Sequence, residues 1–170
     1  LTAVADPVNG TTTYVYDDLG NLLSQTSPDT GTTTFVHDMA GNLKQKRTAP
    51  GTADERLFTY SYDALNRLTG IDAPGVADDI IYVYDVCTNG VGRLCSVRYG
   101  DGVYPGGNQV HFQYTAFGEV RQQQGLGYGY DRAGRLRNID YPSGTRLVYG
   151  YDSAGQVSRV DLTINGMTRT

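Results

Sequence analysis

The sequence is poor in the residues that metal and redox chemistry need. Only two cysteines and two histidines occur in 170 residues. A structural zinc site takes about four such ligands, and no Cys-x-x-Cys pair is present. No apolar run approaches the ~20 residues of a membrane-spanning helix, and no signal-peptide pattern opens the chain. The hydrophobic fraction of 39% is low for a close-packed globule. Basic residues, 14, are outnumbered by 18 acidic ones, giving a net charge of -4 and a pI of about 5.0. Duplex binding draws most of its affinity from phosphate neutralisation, so nucleic acid is not the expected partner. No 3.6-residue apolar period is sustained, which argues against helices.

Glycine, at 22, and tyrosine, at 14, are the abundant residues. Eleven of the tyrosines fall in seven copies of one motif, aromatic-x-aromatic-Asp-x-x-Gly-(Asn/Arg)-Leu. The copies span residues 14–22, 35–43, 60–68, 82–94, 112–120, 128–136 and 149–157. Their fourth positions, Asp17, Asp38, Asp63, Asp85, Thr115, Asp131 and Asp152, are separated by 21, 25, 22, 30, 16 and 21 residues. Spacing of that kind marks a repeat architecture. The chain begins with Leu1 and ends just past an Asn165-Gly166 hairpin signal. Both ends read as cut from a longer polypeptide, so residues 1–170 are expected to be one repeat segment of it.

Each copy reads as a β-hairpin. Tyr14 and Tyr16 are two residues apart and share a face in an extended strand, and Thr12, Thr13 and Val15 suit strands. A type I turn favours Asp first and Gly fourth, and a bulge after it wants that Gly in the left-handed region. The expected turn residues are Asp17 with Gly20, Asp38 with Gly41, Asp63 with Asn66, Asp85 with Gly92, Gly118 after Thr115, Asp131 with Gly134, and Asp152 with Gly155. Asn66 replaces glycine with the other residue that tolerates a left-handed backbone. Breakers lie between hairpins: Pro28-Asp29-Thr30-Gly31, Pro50-Gly51, Pro74-Gly75, Pro105-Gly106-Gly107, Gln124-Gly125-Leu126-Gly127 and Pro142-Ser143-Gly144. The expected fold is all-β: tandem hairpins forming one long, curved antiparallel sheet of roughly 14 strands, whose terminal strands invite pairing with another chain.

No constellation of catalytic residues stands out. The motif aspartates read as turn caps and not as metal ligands or a glycosidase pair, and the Asp17-Asp18 and Asp78-Asp79 neighbours point apart in a strand. His37, in place of a second tyrosine, and His111 lie beside no nucleophile. Gly125-Leu126-Gly127-Tyr128-Gly129 lacks the Lys-Ser/Thr of a phosphate loop and reads as a linker. Cys87 and Cys95 flank the elongated fourth turn; a cross-hairpin disulfide and a pair of buried thiols both fit. The tyrosine row reads as a ladder between hairpins. The alternative is a carbohydrate or cell-surface binding module using those rings. No cofactor is expected.

The phrases Tyr-Val-Tyr-Asp-Asp-Leu-Gly-Asn-Leu (14–22), Tyr-Ser-Tyr-Asp-Ala-Leu-Asn-Arg-Leu (60–68) and Tyr-Gly-Tyr-Asp-Arg-Ala-Gly-Arg-Leu (128–136) resemble the YD repeats of bacterial Rhs proteins, with relatives in insecticidal toxin complexes and teneurins. Residues 84–95 resemble an elongated Rhs variant. The resemblance implies a spiral, hollow β-cage, of which this chain is an open segment. It implies an exported polypeptide whose shell encloses a C-terminal toxin domain. The chain's partners would then be the rest of that shell and its cargo. The family's self-cleaving aspartic segment is not visible, and Asp6-Pro7 reads as an ordinary connector.

Overall fold

The computed structural model describes residues 2–6, 10–75, 79–100, 109–164 and 166–169. Pro7, Asp78, the Pro105-Gly106-Gly107 breaker and Asn165 of the last turn signal lie outside the described residues. The described residues form strands and turns only, with no helix long and apolar enough to cross a membrane.

Sixteen antiparallel strands make one sheet whose spatial order is the chain order. They are β1 (Ala3–Asp6), β2 (Gly10–Tyr16), β3 (Leu22–Ser27), β4 (Gly31–His37), β5 (Leu43–Thr48), β6 (Arg56–Tyr62), β7 (Leu68–Asp72), β8 (Ile80–Tyr84), β9 (Leu94–Tyr99), β10 (Gln109–Tyr114), β11 (Val120–Gln123), β12 (Leu126–Tyr130), β13 (Leu136–Asp140), β14 (Arg146–Tyr151), β15 (Val157–Ile164) and β16 (Met167–Arg169). Two strands exceed the sequence expectation. β1 pairs Val4 with Thr12, and β16 pairs Met167 with Ile164. Both are short and exposed, so neither carries a full alternation for a sequence reading to detect.

The chain divides into two compact units, Leu1–Tyr82 with Arg98–Asn108, and Val83–Val97 with Gln109–Thr170. In the first, Tyr14, Phe35, Tyr60 and Ile80 lie on one face, with Gln25, Lys46 and Ile71 paired opposite or beside them. The other face carries Thr13, Thr26, Thr32, Thr34 and Thr59. In the second, Phe112, Tyr128, Ile139, Leu147, Tyr149 and Val160 share a face. Its opposite face holds Asn138, Asp140, Arg146 and Asp161.

Burial is shallow, as the low hydrophobic fraction requires. Among the described residues only Cys95, Val97 and Tyr114 are buried apolar side chains, all in the second unit. Most strand residues are half-buried, each ring covered by its cross-strand neighbours and not by a second layer. Stability therefore rests on neighbour-to-neighbour terms, as in other repeat arrays.

The residue after the turn pair has positive φ in every motif copy, from 59° at Asn66 to 95° at Gly118. The linker reading of 125–129 and the four-residue breaker at 124–127 need correction. Only Gln124 and Gly125, at φ 48° and 83°, make the reversal. Two consecutive left-handed residues match the twist of a tight hairpin, and Leu126 and Gly127 already belong to β12. Among the seven motif positions that end the turn, Asn66 is the one that is not glycine, which gives a direct test. Asn66→Ala should lower stability by about 1 kcal/mol, because a Cβ without a compensating polar group is costly in the left-handed region. Asn66→Gly should stay within about 0.5 kcal/mol of the parent. Urea unfolding of the two variants checks this.

Candidate functional site

The seven reversals at one end of the hairpins concentrate the chain's repeated polar chemistry. In the first, Gly20 N–H donates to Asp17 O at 3.1 Å and Asp17 N–H to Asn21 O at 2.9 Å. The Asp17 carboxylate then serves twice. Its Oδ1 accepts from the N–H groups of Leu19 and Asn21, at 3.0 and 2.8 Å, and its Oδ2 accepts from the Asn21 side chain at 2.9 Å. Asp38 does the same with Ala40 and Asn42. Asp63 and Asp131 hold arginines instead, Arg67 Nε and Arg135 Nε each at 2.7 Å. Asp152 accepts the N–H groups of Ala154 and Gln156, both at 2.9 Å.

Two copies depart from this scheme. In the fifth, Thr115 Oγ1 takes over the cap, accepting from Phe117 N–H at 3.3 Å and Glu119 N–H at 3.2 Å. The missing carboxylate has moved to the far end of the turn, where Glu119 accepts the Thr115 hydroxyl. The pair is interchanged, not lost. In the fourth, Asp85 itself has φ 71°, and its Oδ1 accepts from Gly92 N–H at 2.7 Å. The loop between them folds as two further turns, Gly90 N–H to Cys87 O at 2.9 Å and Arg93 N–H to Gly90 O at 2.8 Å. Asp85 and Gly92 thus close a longer loop and do not frame a single four-residue turn.

These contacts perturb the carboxyls. The Asn21 side chain, then the Asn21 N–H, hold Asp17 below the ordinary carboxylate range, and Asn42 does so for Asp38. The Arg67 and Arg135 N–H groups, then their guanidiniums, lower Asp63 and Asp131. Away from the turns, the guanidinium of Arg146 lowers Asp140. Burial pushes the phenols of Tyr60, Tyr62 and Tyr130 up.

The second aromatic of the motif does what the sequence reading missed. In six hairpins the ladder register shifts just before it: at Tyr16, His37, Tyr62, Tyr114, Tyr130 and Tyr151. A bulge leaves a backbone group out of the ladder, and a buried carbonyl needs a donor. The next repeat supplies one. Tyr62 Oη donates to Leu43 O at 3.0 Å, Tyr114 Oη to Leu94 O at 2.6 Å, Tyr130 Oη to Val120 O at 2.8 Å and Tyr151 Oη to Leu136 O at 2.6 Å. Each acceptor is the motif's last residue, one repeat back. The eighth-position side chain reinforces the joint. Arg93 and Arg135 lie over the rings of Tyr114 and Tyr151, at 5.5 and 4.4 Å. Asn42 reaches Asn66 Oδ1 at 2.9 Å.

His37 occupies a tyrosine's place without its hydroxyl, and its Nδ1 is buried with no hydrogen-bond partner. His111 is an exposed strand residue. Cys87 and Cys95 are joined, with their Cα atoms 5.4 Å apart. The bridge backs the most buried part of the chain. There Tyr114 N–H donates to Thr88 O at 3.2 Å and the Asn89 side chain to Tyr114 O at 3.0 Å. No group of three or more metal-ligating side chains occurs among the described residues.

Residues 1–32, 16–54 and 130–163 match the model of the RHS Repeat family, together more than half of the chain. The chain belongs to the Rhs repeat family. Comparison with curated proteins gives no match. Among solved structures, this Rhs chain resembles one in the crystal structure of TcdB2-TccC3-Cdc42, with 17% identity and a TM-score of 0.71 over 90% of its length. It also resembles one in the Photorhabdus luminescens Tc holotoxin pore carrying a TccC3 substitution, with 17% identity and a TM-score of 0.73 over 93%. It spans 9% of the length of each of those chains. At that identity the likeness speaks for the fold.

The pKa directions give a two-sided pH profile. The lowered aspartates contribute stability that is complete above their unfolded value of about 3.9 and is lost as pH falls through and below it. The raised tyrosines contribute stability that is complete below about pH 10 and is lost as pH climbs past it. Urea midpoints should therefore hold level between about pH 5 and 9 and drop on both sides. A midpoint that keeps rising below about pH 4 would contradict the capping role.

Proposed function

We propose that this chain is a wall segment of an Rhs shell and that the shell encloses and protects a C-terminal toxin domain during export and delivery. The carrying observation is that, among the described residues, the specialised contacts either close a hairpin or join it to the next. Aspartates close turns, tyrosine hydroxyls reach the preceding repeat, and arginines stack across the joint. Such a chain makes barrier, not chemistry. A continuous hydrogen-bonded sheet blocks diffusion and denies a protease the extended backbone it needs. The share of the matched chains that it spans supports reading it as part of a longer polypeptide. Its partners would be the rest of that shell and the enclosed domain. The edges of β1 and β16 are where neighbouring strands, or another copy, would pair.

The tyrosines themselves support this reading over sugar recognition by the ring row. Most are half-buried, and four hydroxyls are already committed to carbonyls. The test uses the whole gene product that contains these residues. Under native conditions, protease should leave its C-terminal region intact, and that region should become sensitive once the shell is unfolded. A C-terminal region digested as fast in the native protein as when expressed alone would refute enclosure.

A further inference from the structure

We propose that the Cys87–Cys95 bridge is a thiol-exchange site of fixed direction: a low-molecular-weight thiol such as glutathione attacks Cys87 Sγ, and Cys95 leaves. The proposal does not rest on the shell reading. The two bridged sulfurs stand in unlike surroundings. Cys87 is half-buried at the head of the fourth loop, between the exposed Val86 and Thr88. No hydrogen bond reaches its sulfur among the described residues. Cys95, on β9, is 3% exposed, and its sulfur has two polar neighbours. Cys87 N–H donates to Cys95 Sγ at 3.0 Å, and Arg93 O lies 3.8 Å from the same atom.

These contacts decide which sulfur leaves. Exchange needs access to one sulfur and stabilisation of negative charge on the other. Cys87 offers the access. The N–H aimed at Cys95 Sγ supplies the stabilisation, because a hydrogen bond strengthens when its acceptor becomes charged. The attacking thiolate forms a new S–S bond to Cys87 Sγ as the old one breaks, and the bonding electron pair departs on Cys95 Sγ. That thiolate takes a proton from water, and its S–H can then donate to Arg93 O. A second thiolate attacks the sulfur attached to Cys87, releasing the Cys87 thiolate and the oxidised small-molecule disulfide. Two thiols thus supply the two electrons that the bridge gains.

The exchange bears on the joint to the fifth hairpin. Gly90 is buried beside the bridge, where a Cβ would collide with both sulfurs. The space next to the sulfurs is therefore filled, and a substituent on Cys87 pushes the loop outward. That loop holds Tyr114, whose N–H donates to Thr88 O and whose carbonyl accepts from the Asn89 side chain. Both contacts should be released on exchange. The hydrogen bond of Tyr114 Oη to Leu94 O, made to β9, should remain. The joint is then closed in an oxidising compartment and loosened where glutathione is abundant.

The test treats the oxidised 170-residue chain with glutathione at neutral pH, quenches it with N-ethylmaleimide in denaturant and maps the products by peptide mass spectrometry. Early in the reaction glutathione is expected on Cys87 and N-ethylmaleimide on Cys95, with the reverse pattern about tenfold rarer or less. Cys95→Ser removes the sulfur that could expel the adduct, so this variant should hold glutathione on Cys87. In that adduct, amide hydrogen exchange should be about tenfold or more faster than in the oxidised parent at Gly90 and Tyr114, and level at Arg135 in the sixth turn. Near-UV circular dichroism checks that the variant is folded; if it is not, the product map of the parent still decides the direction. Glutathione on Cys95, or on both cysteines equally, would overturn the direction. Reduction only as fast as global unfolding would overturn the site. Unchanged exchange at Tyr114 would overturn its hold on the joint.

Discussion

A tyrosine hydroxyl donated to a backbone carbonyl one repeat earlier is the contact on which the rest of this chain leans. In six hairpins a bulge beside the turn takes the second residue of the return strand out of regular pairing, next to the first residue, whose carbonyl is the one the phenol reaches. Left alone, that carbonyl would be a cost at every joint. The phenol from the following hairpin removes the cost and fixes the distance between neighbours. The same ring then offers its face to the arginine of the repeat it touches. One side chain thus settles a polar demand, a packing demand and the register between units. This is how a sequence that is 39% hydrophobic orders sixteen strands without a second layer.

The reversals show the same economy. A carboxylate at the start of the turn satisfies two backbone donors and anchors the side chain four residues on. When threonine takes the carboxylate's place, glutamate stands four residues on, and the hydrogen bond between them survives with its charge at the other end. The fourth repeat solves a different problem. Its lengthened loop cannot close as one turn, so a disulfide and two successive turns that share Gly90 hold it over Tyr114. Cys95, Ser96, Val97 and Tyr114, four of the buried side chains among the described residues, gather there.

What the sequence revealed and what it hid divide along physical lines. Asp-x-x-Gly was legible because its chemistry is local: a carboxylate, the two N–H groups beyond it and a left-handed residue are all within five positions. The tyrosine joint was not. Its acceptor is a main-chain oxygen 10 to 20 residues away, and no side-chain type marks a carbonyl. Nor was the Thr115 and Glu119 interchange, because each residue departs from consensus and only their contact explains the pair. Gly127 looked like loop. It is strand because the Asp140 side chain crosses its bare Cα, 3.4 Å from where a Cβ would stand. His37 read correctly as a residue in a tyrosine's place, but only the structure shows that the exchange leaves a ring nitrogen buried and unpaired.

Removing hydroxyls one at a time, with the rings kept, is the most direct measurement of this account. Tyr62→Phe, Tyr114→Phe, Tyr130→Phe and Tyr151→Phe should each lower the free energy of unfolding by about 1 kcal/mol in urea titrations, because each strands a part-buried carbonyl of the preceding repeat. If all four together cost less than about 1 kcal/mol, the joint between repeats is made by ring packing alone, and the central contact described here is not what holds the sheet.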